Sequence, residues 1–281
     1  MLFRSGSTPI ARYVHQRASE AGKRVQALGG AKNHAVVLPD ADIEFAANHI
    51  TAAGYGSAGQ RCMAISAVVA VGDAGDALIA KLKAKAEEIN VGPGRDAASD
   101  MGPVVTPEAR DRITGYVGRG QEAGATLVVD GRGLTVTDYE NGFFVGPTLF
   151  DQVTTDMDIY TDEIFGPVLV VLRAGSFAEA VDIVNANQYG NGTAIFTSSG
   201  QAARKFQREV QVGMIGINVP IPVPMAFYSF GGWKDSLFGD THVHGPEGIR
   251  FYTRAKAITS RWPGHEYQEH HRTHMHFPTA T

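Results

Sequence analysis

Residues 67–89 read AVVAVGDAGDALIAKLKAKAEEI, and the hydrophobic period changes within this one stretch. Residues 67–71 form a continuous run of small apolar side chains of strand length. Residues 76–89 instead repeat their apolar side chains every three or four positions, which places Leu78, Ile79, Leu82 and Ala86 on one helix face. The stretch predicts a buried strand followed by an amphipathic helix, an order typical of an α/β protein.

The same alternation continues on both sides of this stretch. Further strands are predicted at residues 2–4, 25–28, 35–38, 127–129, 168–172, 194–197 and 214–218. Helices are predicted after Thr8, at residues 43–53 with Asp40 as the N-cap, from Thr106 to about 123, and at residues 177–186 and 201–210. This pattern predicts a mostly parallel sheet with helices on its faces.

Composition narrows the class of protein. Apolar residues make up 43% of the 281 and charged residues 19%, which is ordinary for a protein with a large core. A net charge of -4 predicts no nucleic-acid partner, and no apolar run approaches the roughly 18 residues of a membrane span. A single cysteine and no recognisable export signal predict a cytoplasmic location, with a mitochondrial one left open because a cleaved transit peptide leaves no trace.

The one cysteine, Cys62, lies in the stretch Gly-Ser-Ala-Gly-Gln-Arg-Cys-Met-Ala at residues 56–64. It has no partner for an internal disulfide, so it is either an inert buried residue, which is common for a free cysteine, or a reactive thiol. Small, flexible residues precede it, and Arg61 is its immediate neighbour. A nearby cation lowers the pKa of a thiol and favours the nucleophilic thiolate. We therefore expect Arg61 to lower the pKa of Cys62.

Five of the ten histidines lie near the C-terminus, at positions 265, 270, 271, 274 and 276. Such spacing can bind a metal ion, but no acidic or cysteine ligands accompany these histidines. We expect residues 263–281 to be a disordered, solvated tail, and we predict no metal cofactor.

Several motifs in a fixed order resemble the aldehyde dehydrogenase superfamily, and within it the CoA-acylating methylmalonate-semialdehyde and malonate-semialdehyde dehydrogenases. The resemblance extends from about residue 3 to 262. The motifs that carry it lie at residues 3–10, 26–34, 59–62, 163–168, 185–197 and 230–234. It implies the aldehyde dehydrogenase α/β fold: a catalytic domain with a mostly parallel sheet, plus a remnant of the Rossmann-like cofactor domain.

The resemblance implies a role for each matched position. Cys62 would be the nucleophile that forms a thiohemiacetal and then a thioester, and its backbone N–H would contribute to the oxyanion hole. Glu163 would bind the nicotinamide ribose of NAD, and Phe165 would pack beside the nicotinamide. The cofactor-binding set is completed by Gly6 and Ser7 at the pyrophosphate and by the backbone of Leu28 and Gly29 at the nicotinamide.

Two further positions bear on the substrates. Hydrolytic members of the superfamily carry a glutamate base directly before Leu-Gly-Gly, and this position is Ala27 here. The resemblance therefore implies transfer of the acyl group to CoA as co-substrate. Arg61 is a candidate for binding the carboxylate of an acidic semialdehyde, with a purely electrostatic or packing role as the alternative.

Members of this superfamily are about twice as long, and the resemblance begins near the end of their NAD-binding domain. It implies residues 1–27 as a remnant of that domain, 28–240 as the catalytic domain, and 241–262 as a C-terminal segment. An oligomerisation strand at Ala257–Ser260 implies a homo-oligomer, a dimer or tetramer. The alternative is a non-catalytic fragment that acts, if at all, by associating with full-length subunits.

Overall fold

The computed structural model describes residues 2–262, so the prediction for the histidine-rich segment 263–281 lies outside the described residues. The strands are β1 Leu2–Ser5, β2 Val25–Leu28, β3 Asn33–Val37, β4 Ile65–Val71, β5 Thr126–Val129, β6 Thr148–Asp151, β7 Val168–Ala174, β8 Tyr189–Gly190, β9 Gly192–Phe196, β10 Met214–Ile217, β11 Trp233–Lys234 and β12 Leu237–Phe238. The helices are α1 Thr8–Glu20, α2 Ile43–Tyr55, α3 Ala74–Glu87, α4 Pro107–Glu122, α5 Asp158–Thr161, α6 Phe177–Ala186, α7 Gly200–Glu209 and α8 Gly245–Tyr252.

The main sheet has seven strands in the order β10-β9-β3-β4-β7-β6-β5. Every neighbouring pair is parallel except β5 and β6. Successive side chains of β4 point to opposite faces, so Val68 joins one core cluster and Val69 joins the other. The first cluster packs against α2, α3 and α4, and the second packs against α6 and α7. The predicted α/β class and mostly parallel sheet are confirmed.

A second, three-stranded sheet has the order β1-β2-β12. β1 and β2 are parallel, whereas β12 pairs antiparallel with β2, with Leu237 opposite Leu28. Helix α1 packs on this sheet, where Ala11 and Ala18 form a small core with Val25 and Ala27. This sheet therefore joins the N-terminal segment to a strand from near the C-terminal end.

Some local predictions were wrong. Helix α2 is capped by Asp42, whose carboxylate accepts the N–H of Phe45 at 3.0 Å, because Asp40 instead accepts the hydroxyl groups of Thr197 and Ser198. Strand β6 was missed because its short apolar run directly follows Gly146 and Pro147, which are typical of a turn.

The C-terminal segment adds helix α8, which the sequence did not predict. Residues 253–262 form neither helix nor strand and are exposed. Residues 257–260 have no strand partner within the described chain, and pairing of that segment with a second subunit stays a prediction. No helix within residues 2–262 combines the length and the apolar character needed to cross a bilayer.

Candidate functional site

A cleft of about 500 Å³ opens where the two sheets meet. It lies at the carboxyl ends of β1 and β2 and at the amino ends of β4 and β7. The residues that line it are Ser5, Gly6, Ser7, Gly29, Cys62, Arg112, Tyr116, Glu163 and Phe165. The fold thus brings six of the eight predicted site residues to one cleft. Of the other two, Leu28 is next to Gly29 in β2, and Arg61 lines an adjoining cavity of about 20 Å³ that shares Cys62 and Glu163.

A wider surface crevice of about 890 Å³ lies between residues 86–99 and 129–147. No cysteine or histidine lines it, and its Arg132 is already paired with Asp130 at 2.6 Å. The crevice offers neither a thiol nucleophile nor an imidazole base. We therefore take the smaller cleft at Cys62 as the candidate active site.

The loop before Cys62 has an unusual backbone. Ser57, Ala58 and Gly59 all have positive φ, at 56°, 53° and 66°. At Gly59 a Cβ atom would lie 2.1 Å from the carbonyl oxygen of Gly166, so only glycine fits there. The turn presses the Cys62 loop against the segment that carries Glu163 and Phe165. Backbone strain of this kind is concentrated at functional sites.

Two asparagines fix the peptide of Cys62. The side-chain amide of Asn33 donates to the Cys62 carbonyl at 2.9 Å, and that of Asn191 donates to the same oxygen at 3.0 Å. Both asparagines are buried. Among the described residues, the N–H of Cys62 donates to no backbone acceptor, and its hydrogen bond to the Cys62 sulfur favours the thiolate. The two asparagines therefore fix the Cys62–Met63 peptide and hold the loop at Cys62 in place.

The charge around Cys62 differs from the prediction. The pKa of Cys62 is raised, first because its thiol is partly removed from water and then because the Glu163 carboxylate repels the thiolate. Arg61 is exposed, and its guanidinium lies beside Gly56. The expectation that Arg61 lowers the pKa of the thiol is therefore wrong. The resting site keeps Cys62 as a thiol at neutral pH.

Glu163 is held at the floor of the cleft. Its Oε1 accepts the backbone N–H of Ala31 at 3.1 Å, and a Cβ at Gly30 would come within 2.8 Å of its Oε2. Burial raises the pKa of Glu163 to about 7, although the Ala31 N–H and the charges of Lys32 and Arg112 act in the opposite direction. The glycine pair thus lets the main chain pass directly against the carboxylate.

The N-terminus of α1 faces the cleft through Ser5, Gly6 and Ser7. Ser7 is the N-cap but its side chain makes no capping hydrogen bond, so the first-turn N–H groups have no side-chain cap. The backbone N–H of Gly6 donates to the carbonyl of Leu28 at 3.1 Å, and that of Gly29 donates to Ser236 at 3.0 Å. Free N–H groups and the helix dipole make this position suitable for an anion.

Arg112 and Tyr116 line the cleft but were not predicted as site residues. They lie four residues apart on α4 and therefore on one helix face. Arg112 donates to the carbonyl of Ile164, and the Tyr116 hydroxyl donates to Asp162 at 2.9 Å. This i, i+4 spacing was the only signal in the sequence. It did not show which face of α4 meets the cleft.

Ala27 does not lie in the cleft. It is fully buried in the small core beneath α1, beside Ala11 and Ala18. The methyl group of Ala27 packs against α1 in this chain, and the inference that this is the position of the base in hydrolytic members stays a prediction. The next residue of the strand, Leu28, projects from the opposite face of the sheet.

The family comparison agrees with this geometry. The model of the aldehyde dehydrogenase family matches residues 1–258. The chain belongs to the aldehyde dehydrogenase family. The predicted superfamily is thereby confirmed.

Several members of the aldehyde dehydrogenase family are close in sequence and structure. A malonate-semialdehyde dehydrogenase of Pseudomonas aeruginosa is 56% identical over 98% of this chain and 55% of its own length. The structure of a methylmalonate-semialdehyde dehydrogenase from Oceanimonas doudoroffii superposes with a TM-score of 0.92 at 54% identity, over 95% of this chain and 55% of that one. The structure of an aldehyde dehydrogenase of Mycobacterium tuberculosis, complexed with NAD+, superposes with a TM-score of 0.82 at 32% identity, over 88% of this chain and 50% of that one. The chain thus spans about half the length of these relatives.

Removing the charge of Glu163 should make the thiol of this aldehyde dehydrogenase chain more reactive. Because Glu163 repels the Cys62 thiolate, we expect Glu163→Gln to speed alkylation of Cys62 about threefold at about pH 8, where Glu163 is ionised. Below the Glu163 pKa of about 7 the wild-type side chain is protonated, so the difference should disappear near about pH 5.5. Iodoacetamide labelling followed by mass spectrometry measures both rates. Glu122→Gln, at an exposed position, is the control, and equal rates for Glu163→Gln and wild type at about pH 8 would contradict the prediction.

Proposed function

We propose that this chain carries the catalytic half of an NAD-dependent, CoA-acylating dehydrogenase for methylmalonate or malonate semialdehyde. The observation that carries the proposal is the single cleft that brings together Cys62, Glu163, Phe165 and the N-terminus of α1. The names of the relatives, which include malonate-semialdehyde dehydrogenases at 48–56% identity, support the substrate class. A cytoplasmic location remains part of the proposal.

The residues of the cleft fit NAD. The uncapped N-terminus of α1, with Gly6 and Ser7, would bind the pyrophosphate as an anion. Glu163 keeps Oε2 for the nicotinamide ribose hydroxyls, since the Ala31 N–H binds Oε1. Leu28 and Gly29 would present their backbone to the nicotinamide, with Phe165 packed beside it. When bound, NAD supplies the hydride acceptor for the oxidation.

The reaction at Cys62 begins with transfer of the thiol proton to water. The sulfur then adds to the aldehyde carbon and forms a thiohemiacetal, while the N–H of Cys62 stabilises the charge that develops on the oxygen. Departure of the hydride leaves an acyl thioester on Cys62. Asn33 and Asn191 hold the Cys62 carbonyl during these steps and thereby keep the loop that carries the sulfur in place.

The surroundings of the thioester favour a thiol over water as the acyl acceptor. Among the residues that line the cleft, Glu163 is the one carboxylate, and the proposal commits it to the ribose. Ala27, at the position where hydrolytic members carry their base, has no ionisable group. Without a base to activate water, CoA is the acceptor that we propose.

A glutamate at position 27, where hydrolytic members of the superfamily carry one, should supply the missing base. We expect Ala27→Glu to speed hydrolysis of the Cys62 thioester at least about tenfold, because general bases typically contribute that much or more. Acylating Cys62 with p-nitrophenyl acetate and following release of acetate, with and without CoA, measures this step without NAD. Ala27→Gln is the matched control, since it adds a side chain of the same size at this buried position without a carboxylate. Equal hydrolysis rates in Ala27→Glu and Ala27→Gln would contradict the assignment.

Arg61 remains our candidate for the carboxylate of the semialdehyde. Its guanidinium is exposed, makes no ion pair with a described residue, and belongs to the cavity that adjoins Cys62. A guanidinium can bind a carboxylate through two parallel hydrogen bonds, which suits an acidic substrate.

We also propose a homo-oligomer. Exposed apolar side chains are concentrated between β10 and β11, where Met225, Phe227 and Tyr228 are each more than 60% exposed. Apolar surface of this kind marks an interface in many proteins. Light scattering on the purified chain distinguishes a dimer or tetramer from a monomer.

The whole proposal is tested by incubating the purified chain with NAD, either semialdehyde and CoA. Formation of NADH together with an acyl-CoA supports it. Absence of both products, and of any rise in thermal stability with NAD, would instead support the alternative of a non-catalytic fragment that associates with full-length subunits.

A further inference from the structure

Lys32 is a buried lysine that the proposed mechanism does not use. It is 2% exposed and lies between β2 and β3, directly after Ala31. Its Nζ donates to the carbonyl of Ile159 at 2.7 Å and to that of Asp162 at 2.8 Å. Ile159 lies in α5, and Asp162 is the residue that ends this helix. Glu163 directly follows Asp162 in the chain.

The adjacent residues Ala31 and Lys32 therefore bind another adjacent pair, Glu163 and Asp162. The backbone N–H of Ala31 binds the side chain of Glu163, and the side chain of Lys32 binds the backbone of Asp162. One contact fixes the carboxylate and the other fixes the turn that carries it. Phe165, two residues further on, is attached to the same turn.

Burying a lysine amine has a high free-energy cost, so this position calls for a reason beyond packing. Burial lowers the pKa of Lys32 to about 7, although the carboxylates of Glu163, Asp162 and Asp158 oppose this shift. The neutral amine keeps two N–H bonds, which are enough for the two carbonyls. The contact with the turn therefore survives deprotonation.

The other titratable groups near this turn have partners of their own. Tyr116 donates to Asp162, Arg119 pairs with Asp158, Arg112 donates to Ile164, and Lys234 donates to Asn185 and Asn187. Burial lowers the pKa of His34 to about 3, so this neighbour is neutral. No described side chain other than Lys32 donates to the carbonyls of both Ile159 and Asp162.

We propose that Lys32 is a positioning residue that holds Glu163 against the Ala31 amide and beside Cys62. The inference rests on the proposed function only for what Glu163 binds. Its effect on Cys62 requires neither NAD nor aldehyde.

The reactivity of the Cys62 thiol reports on the position of the Glu163 carboxylate. Glu163 raises the pKa of Cys62, so release of its turn should weaken the repulsion of the thiolate. We expect Lys32→Met to speed iodoacetamide labelling of Cys62 at least about twofold at about pH 8. In a Glu163→Gln background the same substitution should cause no further change. Since Cys62 is the single cysteine of the chain, labelling reports one site.

The controls separate positioning from general loosening of the fold. Lys234→Met removes a lysine that also donates to two backbone carbonyls, but on another turn, and should leave the labelling rate unchanged. Lys32→Arg, which keeps the donors, should restore most of the wild-type rate. An unchanged rate in Lys32→Met, or an equal increase with and without Glu163, would overturn the proposal. If Lys32→Met does not fold, the same comparison with Lys32→Gln decides it.

Discussion

Replacing Cys62 with alanine is expected to abolish aldehyde-dependent NADH formation, with a loss of at least about 10³-fold. In the proposed mechanism the thiolate bonds to the aldehyde carbon, and the described lining of the cleft offers no second thiol or imidazole to replace it. The measurement is the rate of NADH formation with semialdehyde and CoA, alongside acylation by p-nitrophenyl acetate.

Stability provides the control for this experiment. Cys62 is exposed, so its truncation to alanine should leave the unfolding midpoint almost unchanged. Cys62→Ser keeps the size of the side chain and should be inactive too, because a hydroxyl at this site has no adjacent base to activate it. Retention of more than about a tenth of the activity in Cys62→Ala would rule out the proposed mechanism.

Gly59→Ala is expected to give the largest loss of stability of any conservative change in the site loop, about 2–4 kcal/mol. Its φ of 66° is unfavourable for alanine, and the new Cβ would lie 2.1 Å from the Gly166 oxygen and 2.5 Å from the Gly166 carbon. Both contacts are with backbone, so no side chain can rotate away. Urea unfolding measures the change.

Gly94→Ala is the matched control, because a Cβ at Gly94 has nothing within 4 Å and its φ is not positive. We expect a change within about 0.5 kcal/mol for this variant. Equal stability of the two variants would show that the loop at Gly59 can separate from the Gly166 segment without cost.

Much of the fold could be predicted from hydrophobic periods. The shift at residues 67–89 from an apolar run to a helical repeat corresponds to β4 and α3. Strands buried on both faces, such as β7, are simple apolar runs that need no tertiary information. Strand β12 has only two residues and takes its structure from pairing with β2, so no local sequence pattern predicted this strand.

The candidate site was predictable where a residue acts through its place in a motif. Cys62, Glu163 and Phe165 do meet in one cleft, as the resemblance implied. Side-chain direction was not predictable, because it depends on strand register and on which helix covers which face. For this reason the packing of Ala27 against α1 could not be predicted from its place before Leu-Gly-Gly. The predicted pKa shift of Cys62 was wrong for a related reason. Arg61 is the neighbour of Cys62 in sequence, but the fold brings the Glu163 carboxylate close to the thiol.

The pairing of β12 with β2 has a consequence for how the chain is made. These strands are more than two hundred residues apart, so the floor of the cleft near Leu28 cannot be completed until residue 238 has left the ribosome. During synthesis the edge of β2 stays open while the seven-stranded sheet assembles, which exposes it to pairing with other chains. The order of synthesis thus leaves the three-stranded sheet incomplete until most of the seven-stranded sheet has been made.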